Sequence, residues 1–179
     1  IISGMGELHL EIIVDRIKRE FNLSTRAGKP QVSYRETIKD RIEQSGKVDR
    51  QLGDKKQYAQ VILRLEPAKR GEGIIFENKL DETIIPKQFY KGIEKGVKES
   101  LQVGPRGYPV IDIKAVVIGG SYSEESSTEL SFIFASSMAV REGIIKASPV
   151  LLEPVFEVEI VSPEEYVGDI IADFSSRKG

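Results

Sequence analysis

The chain has no cysteine, so it forms no disulfide and offers no thiolate zinc site. It has one histidine, His9, which leaves almost no material for a Ser-His-Asp triad or a multi-histidine metal centre. No apolar run approaches the roughly 20 residues needed to span a bilayer. The opening Ile1-Ile2-Ser3-Gly4 has neither an initiator Met nor the basic-then-apolar pattern of a signal peptide, as if cut from a longer chain. A phosphate-binding loop of the Gly-x-x-x-x-Gly-Lys-Ser/Thr type is also missing. Gly71-Glu72-Gly73 and Gly104-Pro105-Arg106-Gly107 are too short and wrongly framed to replace it.

What is present is ordinary for a soluble globular chain: 179 residues, 40% hydrophobic, 30% charged and a net charge of −2. That charge is unevenly distributed. Residues 29–152 carry 20 basic and 17 acidic side chains, whereas residues 153–179 carry two and seven. A mildly basic middle and an acidic tail mark separate units.

Periodicity supplies the elements. Leu10, Ile13, Val14, Ile17 and Phe21 repeat at helical spacing and predict a helix over 7–21, ended by Asn22. Strands are expected over 23–27, 31–38, 58–65, 74–80, 110–118 and 150–161, the last interrupted by Pro154. Residues 40–46 read as a polar loop and 52–56 as a turn after a segment over 47–51. Phe89, Ile93, Val97 and Leu101 predict a helix over 87–102, with Pro86 tolerated at its first turn. A further helix runs from a cap at Thr128 to about residue 147, with Leu130, Ile133, Phe134, Met138 and Ile145 expected to be buried. Ser162-Pro163-Glu164-Glu165 reads as another helix start. The pattern is α+β.

Candidate chemistry is sparse. His9 reads as a surface or domain-contact residue, and the Glu124/Glu125 and Glu164/Glu165 pairs as solvated or cap-related carboxylates. Lys87, Lys91, Lys95 and Lys98 form a basic stripe that would meet phosphates without reading sequence. Its bland alternative is a solvated face interleaved with Glu94 and Glu99. No enzymatic site is expected within these residues.

Longer motifs go beyond composition. Ser3-Gly4-Met5-Gly6-Glu7-Leu8-His9-Leu10 with Val14-Asp15-Arg16-Ile17-Lys18-Arg19-Glu20-Phe21 resembles the helix closing the third domain of elongation factor G. Gly28-Lys29-Pro30-Gln31-Val32-Ser33-Tyr34-Arg35-Glu36-Thr37-Ile38 resembles the passage into its fourth domain. Gly107-Tyr108-Pro109-Val110 and Gly120-Ser121-Tyr122 resemble landmarks within that domain. Val150-Leu151-Leu152-Glu153-Pro154 and Gly168-Asp169-Ile170-Ile171-Ala172-Asp173 resemble the start of the fifth.

The resemblance implies three parts. Residues 1–28 would be the second half of a ferredoxin-like domain, and 29–152 a ribosomal-protein-S5-domain-2-like α/β sandwich. Residues 153–179 would be the first βα of another, truncated ferredoxin-like domain. It also implies a cytoplasmic, ribosome-dependent GTPase, with GTP and magnesium held by N-terminal domains outside this chain and no cofactor here. Its partners would be rRNA and the tRNA–mRNA unit in the small-subunit decoding region, with no membrane. Two tip loops near 52–57 and 119–127 would make the contacts. Lys55, Lys56, Gln57, Tyr58, Ser121, Tyr122 and Ser123 are the candidate residues there, with Gly119 and Gly120 shaping the loop.

Those loops also depart from the family pattern. Where the family has Gly-x-Gly-Gln-Tyr-Gly-His, this chain has Asp54-Lys55-Lys56-Gln57-Tyr58-Ala59-Gln60. After Gly120-Ser121-Tyr122 the family's histidine is replaced by Ser123, followed by Glu124 and Glu125. The run 52–56 is similar to the mitochondrial paralogue that serves ribosome recycling with the recycling factor, so subunit splitting stands beside translocation. Tetracycline-resistance ribosomal protection proteins share the architecture, but no motif here favours them. A stand-alone RNA-binding module is the third reading.

Overall fold

The computed structural model describes residues 2, 4–24, 28, 32–52, 55–81 and 83–177. It divides into two units, residues 1–33 and 34–179.

The first unit is built on helix α1 (Glu7–Phe21). Asn22 ends it in the left-handed conformation, as expected of a short amide side chain at that position. Asp15–Arg19 and Arg16–Glu20 pair across one turn at 2.6 and 3.0 Å. The apolar stripe of Leu10, Ile13, Val14 and Ile17 is only half-buried, and Phe21 is exposed. His9, in the first turn, reaches back to the segment before the helix: its Nδ1 accepts the Met5 N–H at 3.1 Å. The strand expected over 23–27 falls partly outside the described residues. Leu23 and Ser24 are in no regular element.

The second unit contains strands β1 (Arg35–Ile38), β2 (Ile42–Leu52), β3 (Lys55–Pro67) and β4 (Ile74–Asn78). A 3₁₀ turn then leads into helix α2 (Tyr90–Ser100), followed by β5 (Ile113–Ser121), helix α3 (Glu129–Lys146) and β6 (Pro149–Leu152). A second 3₁₀ turn precedes helix α4 (Val167–Ser176). The main sheet has the order β2-β3-β5-β4, antiparallel except for the parallel β4–β5 pair joined through α2, and β1 pairs antiparallel with β6. α3 lies across β2 and β3, and α2 packs against α3. Val61, Leu63, Leu65, Ala115 and Val117 of the sheet meet Ile93 and Val97 of α2 and Phe132, Ala139 and Ile144 of α3. The arrangement is α+β, as expected.

Several sequence readings are corrected. Residues 42–46 are strand, not loop: Gly46 sits in the middle of β2, where a Cβ would come within 2.0 Å of the Ala135 carbonyl oxygen. Its small size lets α3 lie close; it marks no turn. β1 begins at Arg35: residue 31 lies outside the described residues, residues 32–34 are in no regular element, and the partner strand β6 is four residues long. β6 likewise ends at Leu152. Residues 153–163 have no regular structure, and Val155, Phe156 and Val161 are exposed, because an extended run without a neighbour forms no ladder. Ser162 does not cap the helix that follows; no side-chain cap hydrogen bond is made there.

The buried face of α3 also differs. Thr128 does cap it, in a reciprocal pair with Ser131. However, Leu130, Phe134, Met138 and Ile145 are 40–64% exposed, and Phe132, Ala135, Ser136, Ala139 and Val140 face inward. α3 is apolar on more than one side, so periodicity alone does not choose. The closeness of β2 and α2 favours the face with small side chains.

Candidate functional site at the hairpin end

The β2–β3 hairpin extends in unbroken register from Ile42 opposite Leu65 to Leu52 opposite Lys55. Residues 53 and 54, between the two strands, lie outside the described residues. Because side chains alternate along a strand, the expected contact residues divide between two faces. Lys56, Tyr58 and Gln60 share the face with Lys47 and Asp49, and Gln57 shares the other with Arg50. Lys56 Nζ lies 3.7 Å from Asp49 Oδ1, and Lys47 Nζ lies 3.2 Å from Asp49 Oδ2. On the opposite face Arg50 Nε donates to Gln57 Oε1 at 3.2 Å, and its guanidinium stands 5.0 Å from the Phe134 ring centre.

Gly119, Gly120 and Ser121 are not loop, contrary to expectation. They continue β5 opposite Ile62, Val61 and Gln60. Gly120 is held to small size by close approach: a Cβ there would meet the Gln60 carbonyl oxygen at 2.4 Å. Ile118 has no partner residue, since Leu63 faces Val117 and Ile62 faces Gly119. This bulge reverses the alternation and places Ser121 on the same face as Tyr58 and Gln60.

Tyr58 is the centre of the arrangement. Its N–H donates to the Ser126 carbonyl at 3.0 Å, and its own carbonyl accepts the Ser127 and Ser131 hydroxyls at 2.7 and 3.2 Å. Its hydroxyl is 2.7 Å from Ser121 Oγ, and Lys47 Nζ sits 5.4 Å from its ring centre. Ser123 N–H donates to Ser127 Oγ, closing the second loop on itself. Tyr122 leans toward Phe89, with ring centres 6.4 Å apart. An open cleft of about 850 Å³ separates the two segments, lined among others by Lys56, Tyr58, Tyr122, Ser123 and Glu125. The sequence reading missed Lys47, Asp49 and Arg50. Counting back across the turn from Tyr58 would have found them, had 42–46 been read as strand.

The lysine stripe, on α2 and the 3₁₀ turn before it, is exposed. Lys95 and Lys98 pair with Glu99 and Glu94 at 3.9 and 2.7 Å, all four side chains remaining largely exposed. Lys91 is exposed, and Lys87, in the 3₁₀ turn before α2, is exposed as well. Among the described residues no cluster of three or more His, Asp or Glu side chains could hold a metal ion. No described helix is long and apolar enough to cross a membrane.

This geometry lies within residues 30–148, which match the family profile for Elongation factor G, domain IV; residues 1–29 match Elongation Factor G, domain III. The chain belongs to the elongation factor G family. It is 54% identical to the elongation factor G of Thermotoga maritima and 56% identical to that of Thermotoga neapolitana, over 99% of its own length in each case. It spans 26% of the length of both relatives. A crystal structure of a Thermus thermophilus protein superposes with a TM-score of 0.87 at 39% identity, covering 98% of this chain and 26% of that one.

Proposed function

We propose that residues 29–152 are the arm by which a ribosome-dependent elongation factor G enters the small-subunit decoding region and promotes movement of tRNA and mRNA. The observation that carries this reading is the long β2–β3 hairpin and its neighbouring loop within the stretch matching domain IV. On this reading the arm works mechanically, by contacting one ribosomal state better than another. Residues 153–179 would begin a further ferredoxin-like domain, and the whole protein would act in the cytoplasm.

GTP and magnesium would be held by the parent's other domains. The glycine loops of this chain do not fit a nucleotide's phosphates. The Arg106 and Tyr108 amides are directed at the buried Glu36 carboxylate, and the Gly73 amide at Asp112 Oδ1.

Recycling is the second reading, favoured by the departures at Lys55-Lys56 and Ser123-Glu124-Glu125. The test uses the full-length parent with ribosomes and GTP, scoring tRNA–mRNA movement and, separately, subunit splitting with recycling factor. Movement supports the first reading, and splitting without movement the second. Reversing charge at Lys55 and Lys56 should weaken either activity without unfolding the protein, since cations meeting phosphate contribute affinity rather than fold. Unchanged activity would remove those two residues from the contact surface.

A further inference from the structure

Tyr58 has little left to offer a partner. Its amide, carbonyl, hydroxyl and one ring face all have partners within the protein. The direction of its hydroxyl bond follows from proton counting. Ser121 Oγ donates its single proton to Gln60 Oε1 at 3.1 Å, and Gln60 Nε2 donates onward to Ser45 Oγ at 3.2 Å. The Tyr58 hydroxyl must therefore be the donor to Ser121. The result is a directed chain, Tyr58 to Ser121 to Gln60 to Ser45, crossing β3, β5 and β2 on one face.

Through its backbone the same residue holds Ser126 and Ser127 of the second loop and Ser131 of α3. One residue thus links the hairpin to the segment beyond β5. Lys56, two residues away on the same face, is exposed and lies 3.7 Å from the Asp49 carboxylate.

We propose that Tyr58 is a positioning residue: it sets the spacing of the two tip segments through Ser121 and the 126–131 backbone, and leaves contact with ribosomal RNA to neighbours such as Lys56. This rests on the arm reading above. A contact residue changes how tightly the factor binds. A positioning residue changes how well the bound arm does its work.

The test uses the full-length factor and separates rate at saturation from half-saturating concentration. Tyr58→Phe deletes one hydroxyl and keeps the ring. It should lower the saturating rate of tRNA–mRNA movement by about 3- to 10-fold, the scale of one lost hydrogen bond, with the half-saturating concentration within about twofold. Ser121→Ala should match it, Ser121→Thr should recover most of the rate, and Tyr58→Phe/Ser121→Ala should be no worse than either single change. Lys56→Glu should instead raise the half-saturating concentration. A Tyr58→Phe factor that behaves like Lys56→Glu, or one indistinguishable from wild type, overturns the proposal.

Amide exchange gives a readout independent of the ribosome. In the full-length Tyr58→Phe factor, the Tyr58, Ser123 and Ser127 amides should exchange about 3- to 10-fold faster while the α3 core stays protected. If the wild-type factor moves no tRNA at all, the arm reading fails and exchange alone decides: unaltered rates at those three amides overturn the positioning role.

Discussion

Gly46 of β2 lies directly beneath the Ala135 carbonyl of α3, so close that an added Cβ would stand 2.0 Å from that oxygen and 2.7 Å from the Ala139 nitrogen. Both obstacles are backbone, which cannot rotate away. Gly46→Ala must push α3 off the sheet, and overpacking of this kind costs about 1 to 3 kcal/mol. Urea denaturation should show a loss in that range. A loss under about 0.5 kcal/mol would mean the helix does not sit where described.

The two sides of α3 should respond differently. Phe132 is fully buried and stacks on Phe89 with ring centres 4.7 Å apart. Phe132→Ala should cost about 3 to 5 kcal/mol. Met138→Gln, on the exposed side, should stay within about 0.5 kcal/mol. Equal losses in thermal or chemical denaturation would restore the face that periodicity favoured.

Glu36 is a buried carboxylate whose Oε1 accepts the Arg106 and Tyr108 amides, both at 3.0 Å, and whose Oε2 has no partner. It ties the 104–109 loop to β1. Glu36→Ala takes the acceptor from the part-buried Arg106 and Tyr108 amides, a loss of about 0.5 to 1.5 kcal/mol for each hydrogen bond. Glu36→Gln keeps one acceptor and removes the buried charge, so it should be the milder change. If denaturation ranks Gln as the more damaging, the unpartnered oxygen has an unrecognised role.

Acid sensitivity has a local source. The hydrogen bond from Lys114 at 2.7 Å, helped by the charges of Lys114 and Lys79, holds the Glu77 carboxyl below its ordinary value. The Thr83 amide and hydroxyl do the same for Asp81. Both carboxyls bind protons more readily unfolded than folded. Their contribution is therefore present above the ordinary carboxyl values, about pH 4.3 for Glu77 and about pH 3.9 for Asp81, and lost as pH falls below them. Lys114 is shifted upward, chiefly by its hydrogen bond to Glu77, so its share is present below about pH 10.4 and lost above it. A melting profile from about pH 2.5 to 8 should fall less steeply at the acid end for Glu77→Gln than for wild type. Identical slopes would show that the pair contributes nothing in solution.

Much of this protein was legible in its residues. The 3.6-residue spacing of Phe89, Ile93, Val97 and Leu101 was sufficient for α2, because only one side of that helix is apolar. The Thr128 cap and the Asn22 stop were readable because both act through local backbone geometry. The family motifs were readable because they are long and collinear. Tertiary structure alone decided where two partners compete for one surface or where a strand has no partner. Gly46 looks like a turn until α3 is laid on it, and residues 153–161 look like strand although no described residue pairs with them. The candidate site shows this most clearly. Tyr58 and Ser121 were both named from the sequence, yet their 2.7 Å bond depends on the extra residue at Ile118, which turns Ser121 to the side of the sheet that Tyr58 occupies. Alternation counted along β5 alone would set it facing the other way, since a one-residue bulge is invisible until the register against β3 is known.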